Sequence, residues 1–167
     1  MDFQNFSQTC ERAKVDLITG VPDGYLVPLI ESVSASSIPY IAAAREEECL
    51  GIASGAAMSG RRALVMVQNS GFLNAVGAYA TLCVNYRVPM VILVAHRGNV
   101  FDANGYDTEK YRAYQAFIQS SNAFHVSVYE YRDEANLLER AFARSEASGE
   151  PTFLNLDFNP NRQEAAC

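Results

Sequence analysis

The chain has 167 residues, and its 13 Lys and Arg against 19 Asp and Glu give a net charge of −6 with no basic stripe, which argues against nucleic acid as a partner. With 49% hydrophobic residues the length suits one domain, 1–167, with a core over about 15–157 and a frayed tail at 159–167. No apolar run reaches the ~20 residues of a membrane span, the start shows no leader pattern, and the four cysteines make neither a C-x-x-C pair nor a metal spacing with His96 or His125, so a cytoplasmic protein with reduced thiols is expected, with no membrane partner and no metal site of its own.

In chain order, an amphipathic stretch over 6–14 reads as a helix, and the apolar run at 15–19 reads as a first strand. Gly20-Val-Pro-Asp-Gly24 then punctuates the chain as a turn. Apolar residues at helical spacing over 25–34 give a second helix. The run 39–44 is read as a buried central strand, ending at the polar corner Arg45-Glu46. A helix from about Glu47 follows. It carries Gly51 and Gly55, each costing ~1 kcal/mol relative to Ala, so close packing against a neighbouring element or subunit is expected there.

Ala63-Leu-Val-Met-Val67 and the run at 88–95 are apolar without alternation, as strands covered on both faces are. Between them, 72–86 reads as a helix rich in small residues. A polar segment over 99–110 is long enough for a functional loop. A helix at 111–120, a strand at 125–129, a helix at 133–148 and a strand at 152–156 complete the pattern. Strand and helix alternate with short connections, so the expected fold class is α/β: three layers, a parallel sheet with helices on both faces.

Four successive strands stop at polar clusters: Gly20-Val-Pro-Asp-Gly24, Arg45-Glu46, Gln68-Asn69-Ser70 and His96-Arg97. In a parallel sheet those ends share one edge, where ligands bind. Glu46, Glu47 and Glu48 have a second reading, as acids favoured at a helix N-terminus. Neither a G-x-G-x-x-G nor a P-loop motif occurs. Ser70 sits at a strand-to-helix corner as a hydrolase nucleophile would, with His96 and Asp102 further on, but Gln68 and Phe72 stand where a nucleophile elbow has glycines. His125 reads as a strand histidine, not a ligand.

The run Arg45-Glu-Glu-Glu-Cys-Leu-Gly-Ile-Ala-Ser-Gly55, with Val67-Gln-Asn-Ser-Gly-Phe-Leu-Asn74, Val94-Ala-His-Arg-Gly98 and Val21-Pro-Asp-Gly-Tyr-Leu26, resembles the pyrimidine-binding domain of thiamine-diphosphate-dependent 2-oxoacid decarboxylases. The likeness is in particular to the sulfopyruvate and phosphonopyruvate decarboxylase branch, including its separate sulfopyruvate decarboxylase α subunits. It implies the thiamine-diphosphate-binding fold, with Glu46 as the glutamate that hydrogen-bonds N1′ of the cofactor's aminopyrimidine. Gln68, Asn69, Ser70, Gly71 and Asn74 match the segment bordering the cofactor, and Pro22 and Asp23 the loop at the mouth of the site. His96 and Arg97 either offer donors to an anionic 2-oxoacid or cap the strand end as an ion pair.

The segment 99–107 departs from the branch's pattern, so the substrate can differ. Diphosphate binding in this family uses a Gly-Asp-Gly motif followed by an Asn, and neither occurs here in that arrangement. The resemblance therefore implies thiamine diphosphate and Mg²⁺ held jointly with a second subunit that carries the diphosphate-binding domain. It also implies a hetero-oligomer with at least two copies of each chain. The alternatives are a non-catalytic module that kept the fold, and the Ser70 hydrolase.

Overall fold

The computed structural model describes residues 5–99, 102, 105–121, 123–128 and 136–157. Six strands, β1 (Leu17–Gly20), β2 (Tyr40–Ala42), β3 (Ala63–Gln68), β4 (Val91–His96), β5 (His125–Val128) and β6 (Thr152–Asp157), form one parallel sheet in the order β2-β1-β3-β4-β6-β5. The apolar runs of β3 and β4 send side chains alternately to both faces, so both faces need cover. Leu64, Met66, Leu93 and Leu156 pack beneath α1 (Phe6–Arg12), α2 (Val27–Ser34) and α7 (Leu137–Ser148). Val65, Val67, Val94 and Phe153 pack beneath α3 (Glu46–Met58), α4 (Asn69–Asn74) and α6 (Thr108–Ser120). This is the expected three-layer architecture.

β1 pairs with β2 on one side and with β3 on the other. The helix after β1 covers one face and the helix after β2 the opposite face, so the order reverses between β1 and β3. A crevice at the carboxyl ends of the strands follows from that reversal. Gly20 ends β1 with its Cα so close to the Met66 carbonyl that any side chain would overlap it, which keeps the two strand ends together.

Several expectations are corrected. β2 is an edge strand with Ile41 and Ala42 exposed, not a buried central one. α3 starts one residue earlier, at Glu46, and α4 starts at Asn69 directly after β3. The helix expected over 72–86 is interrupted at Ala75, where α4 ends. A single turn, α5 (Val76–Ala78), then runs into a π-helical stretch (Tyr79–Val84), with Asn85 N–H donating to the Ala80 carbonyl five residues back. That register turns Tyr79 and Cys83 onto the sheet. Nothing in the described chain lies within 4 Å of a Cβ placed on Gly51 or Gly55, so the close packing expected of them is not made within the chain. Residues 129, 133–135 and the tail 159–167 lie outside the described residues.

Candidate functional site

Three consecutive glutamates open α3, and two have local partners. Glu48 Oε2 accepts from the backbone N–H of Ala44 at 2.9 Å and of Arg45 at 3.3 Å, capping the helix start. Glu47 pairs with Arg45 at 3.0 Å; its acidity is raised by a hydrogen bond from its own backbone and then by the Arg45 side chain. Glu46, the first helical residue, has neither kind of partner among the described residues. Its carboxylate lies over the bare backbone of Gly71 in α4: a Cβ there would overlap Glu46 Oε1 and Cδ and sit 2.8 Å from Cγ. Gly71 therefore makes the room in which the half-buried carboxylate rests. The Glu46–Gly71 contact joins the end of β2 to the end of β3 at the reversal of strand order.

The polar cluster after β3 divides. Ser70 Oγ donates to Gln68 Oε1 at 2.8 Å, and both residues are half-buried at the edge. Asn69 is fully buried: its Nδ2 donates to the Arg97 carbonyl at 2.9 Å and its Oδ1 accepts the Arg97 N–H at 3.2 Å. In this structure the Asn69 amide is occupied in holding the end of β3 to the end of β4. Asn74 is exposed at the end of α4, almost one turn beyond Gly71.

Asp23 and Arg97, 74 residues apart, meet at 3.4 Å, with Pro22 exposed beside them. Arg97 also lies 3.4 Å from Asp102 and 3.9 Å from Asp107, and its guanidinium stacks over the Tyr25 ring at 4.6 Å. Of the two readings left open for Arg97, the ion pair is the one present. His96 turns the other way. It is buried under α6, stacked on Tyr111 at 4.0 Å, with Nδ1 2.9 Å from Asp157 Oδ1, near enough to pair but off the hydrogen-bonding direction. Its Nε2 is buried without a partner among the described residues. His96, Asp157, Asn155 and His125 border a polar cavity of about 70 Å³ between α6 and the β5–β6 edge, away from Glu46.

Sequence reasoning missed Tyr25, Asp102, Asp107, Tyr111 and Asp157 as partners at this edge. Asp102 stood out as a loop residue and as a possible member of the Ser70 hydrolase set, Asp107 as a polar residue of the same long loop, and nothing in their spacing pointed to Arg97.

Residues 3–116 match the family described as thiamine pyrophosphate enzyme, N-terminal TPP binding domain. The chain belongs to this family. It is similar to sulfopyruvate decarboxylase subunit alpha of Methanothermobacter thermautotrophicus, 38% identical over 87 residues, which are 52% of this chain and 53% of that one. The same subunit of Methanocaldococcus jannaschii is 34% identical over 89 residues, 53% of each chain. Phosphonopyruvate decarboxylase of Streptomyces viridochromogenes is 34% identical over 85 residues, 50% of this chain and 21% of that one. The chain spans about half the length of the two alpha subunits it matches.

For a TPP-binding domain, the groups at the β1–β3 reversal fit an aminopyrimidine. A carboxylate with no local partner among the described residues offers a hydrogen bond to a ring nitrogen, and Gly71 gives that carboxylate its room. Among the described residues no cluster of His, Cys, Asp and Glu could hold a metal ion, and no helix is long and apolar enough to cross a membrane.

Proposed function

We propose that this chain is the pyrimidine-binding subunit of a two-subunit thiamine-diphosphate-dependent decarboxylase, or a related carboligase, acting on a small anionic 2-oxoacid such as sulfopyruvate or phosphonopyruvate. The observation that carries the reading is Glu46: alone among three glutamates it has no local hydrogen bond, and it lies on the one glycine that makes room for it. When bound, thiamine diphosphate supplies the ring that stabilises the carbanion left by loss of CO₂. Glu46 would hold or share a proton at N1′ of the aminopyrimidine. Gly71 would give that carboxylate the room to take this position, and Gln68 with Ser70 would border the ring. Asn69 acts at one remove by fixing the position of that edge.

The diphosphate and Mg²⁺ fall to a second chain carrying a Gly-Asp-Gly…Asn motif, and the active site lies between the two. The unfilled face of α3 at Gly51 and Gly55 supports such a second surface. A cytoplasmic hetero-oligomer with at least two copies of each chain completes the proposal. The hydrolase alternative loses its base, since Ser70 Oγ is directed at Gln68 and His96 is buried beneath Tyr111.

The test is reconstitution. The chain alone should release no CO₂; mixed with its partner, thiamine diphosphate and Mg²⁺, it should. In that mixture Glu46→Gln should lower kcat by about 10²–10⁴, the range of a positioned acid or base, with an unchanged circular dichroism spectrum. Full activity of Glu46→Gln would overturn the assignment.

A further inference from the structure

We propose that Arg97 is a positioning residue that fastens the loop after β1 to the segment after β4, and that the anionic group of the substrate is met by a cation of the partner chain instead. The second half rests on the function proposed above; the first does not. Arg97 is 22% exposed on its side chain, and the three carboxylates around it lie deeper: Asp102 at 4%, Asp107 at 5% and Asp23 at 12%. Each belongs to a different segment and is tied there by another bond. Asp23 accepts the Tyr25 N–H at 3.0 Å, Asp102 accepts the Gly98 N–H at 2.9 Å, and Asp107 pairs with Lys110 at 3.0 Å. Arg97 itself is held through its backbone by the buried Asn69 amide. One guanidinium thus joins the mouth loop, the turn after β4 and the entry to α6.

A carboxylate, sulfonate or phosphonate brought to that guanidinium meets three acids already in place. Like charges in a partly desolvated site repel strongly, so an incoming anion would have to displace one of them. Among the described residues, the other cations of this edge also have acidic partners, Arg45 with Glu47 at 3.0 Å and Lys110 with Asp107. His96 is enclosed under Tyr111. A dianionic oxoacid therefore needs positive charge that these side chains do not offer, and the facing subunit is where it can come from.

Two measurements separate the parts. In hydrogen exchange on the full chain alone, Arg97→Gln should speed exchange over 21–26 and 98–108 by about tenfold or more, and Asp23→Asn, which removes one of the three pairs, should do so over 21–26. Unchanged exchange in both variants would overturn the fastening role. In the reconstituted enzyme, Arg97→Gln should lower kcat/KM for sulfopyruvate and for pyruvate alike, leaving their ratio within about twofold of the unsubstituted pair. A ratio shifted by about tenfold against sulfopyruvate would place Arg97 on the substrate's sulfonate and overturn the second half. A reconstituted pair with no decarboxylase activity would count against the proposed function, while the exchange result would still decide the role of Arg97.

Discussion

Two glycines of this chain are indispensable for opposite reasons. At Gly71 the atoms that a methyl group would strike are the end of the Glu46 side chain, half-buried and free to rotate away. At Gly98 they are backbone: φ is +91°, and a Cβ would overlap the Asp107 carbonyl oxygen and lie 3.0 Å from the Thr108 nitrogen. Gly71→Ala should therefore fold as well as the parent, gaining up to ~1 kcal/mol from helix propensity. Yet it should be as inactive in the reconstituted enzyme as Glu46→Gln, because the carboxylate is pushed from its place. Gly98→Ala should lose about 3 kcal/mol or more in urea unfolding, since both the left-handed backbone and the packing of the α6 entry oppose it. An active Gly71→Ala would mean that the carboxylate works from another position.

Among the elements, the ends of β3 and β4 are joined beyond the last sheet pair by Asn69, whose amide satisfies both backbone groups of Arg97. Asn69→Ala would leave a part-buried N–H and a part-buried carbonyl of Arg97 without their partner, each at the lower end of ~1–3 kcal/mol. A stability loss of ~2–4 kcal/mol is expected, read as a lower urea midpoint at unchanged slope. A slope that changed would point to a more open native state. Such a contact cannot be read from sequence, because Asn69 and Arg97 stand 28 residues apart and only the pairing of Gln68 with Ala95 brings them together. Unbroken apolar runs did identify β3 and β4, since burial on both faces leaves no alternation. The same pattern misplaced β2, because Tyr40-Ile-Ala42 is apolar too and its edge position follows from where the chain crosses over, not from its composition. The place of Glu46 at the corner after β2 was legible from the polar strand end, whereas the Arg97 cluster was not, its acids being supplied by two loops whose meeting the sheet decides.

Across the whole molecule the sheet separates two apolar layers, with Cys10 in one and Cys49 and Cys83 in the other, all free and fully buried. Burial is the main cause that pushes these thiols up from 9.0, Cys10 to about 12 and Cys49 and Cys83 to about 11. Below about pH 8.5 the folded and unfolded chains both keep the thiol protons, and these groups do not alter stability with pH. As the pH rises past 9 the unfolded chain releases them while the folded chain retains them, so the folded state binds more protons and stability must fall. With three thiols acting together the slope approaches ~4 kcal/mol per pH unit, and it eases only where the folded thiols themselves begin to ionise, near pH 11. Urea midpoints measured between pH 8 and 10.5 should therefore drop steeply above pH 9, and replacing Cys10, Cys49 and Cys83 together with Ala should flatten most of that drop. Because the thiols sit on both sides of one sheet, a single cooperative unfolding requires that all three be alkylated at a common rate. Faster labelling of Cys49 and Cys83 than of Cys10 would show that the layer carrying Glu46 and Gly71 opens by itself, as a face that awaits a partner chain would.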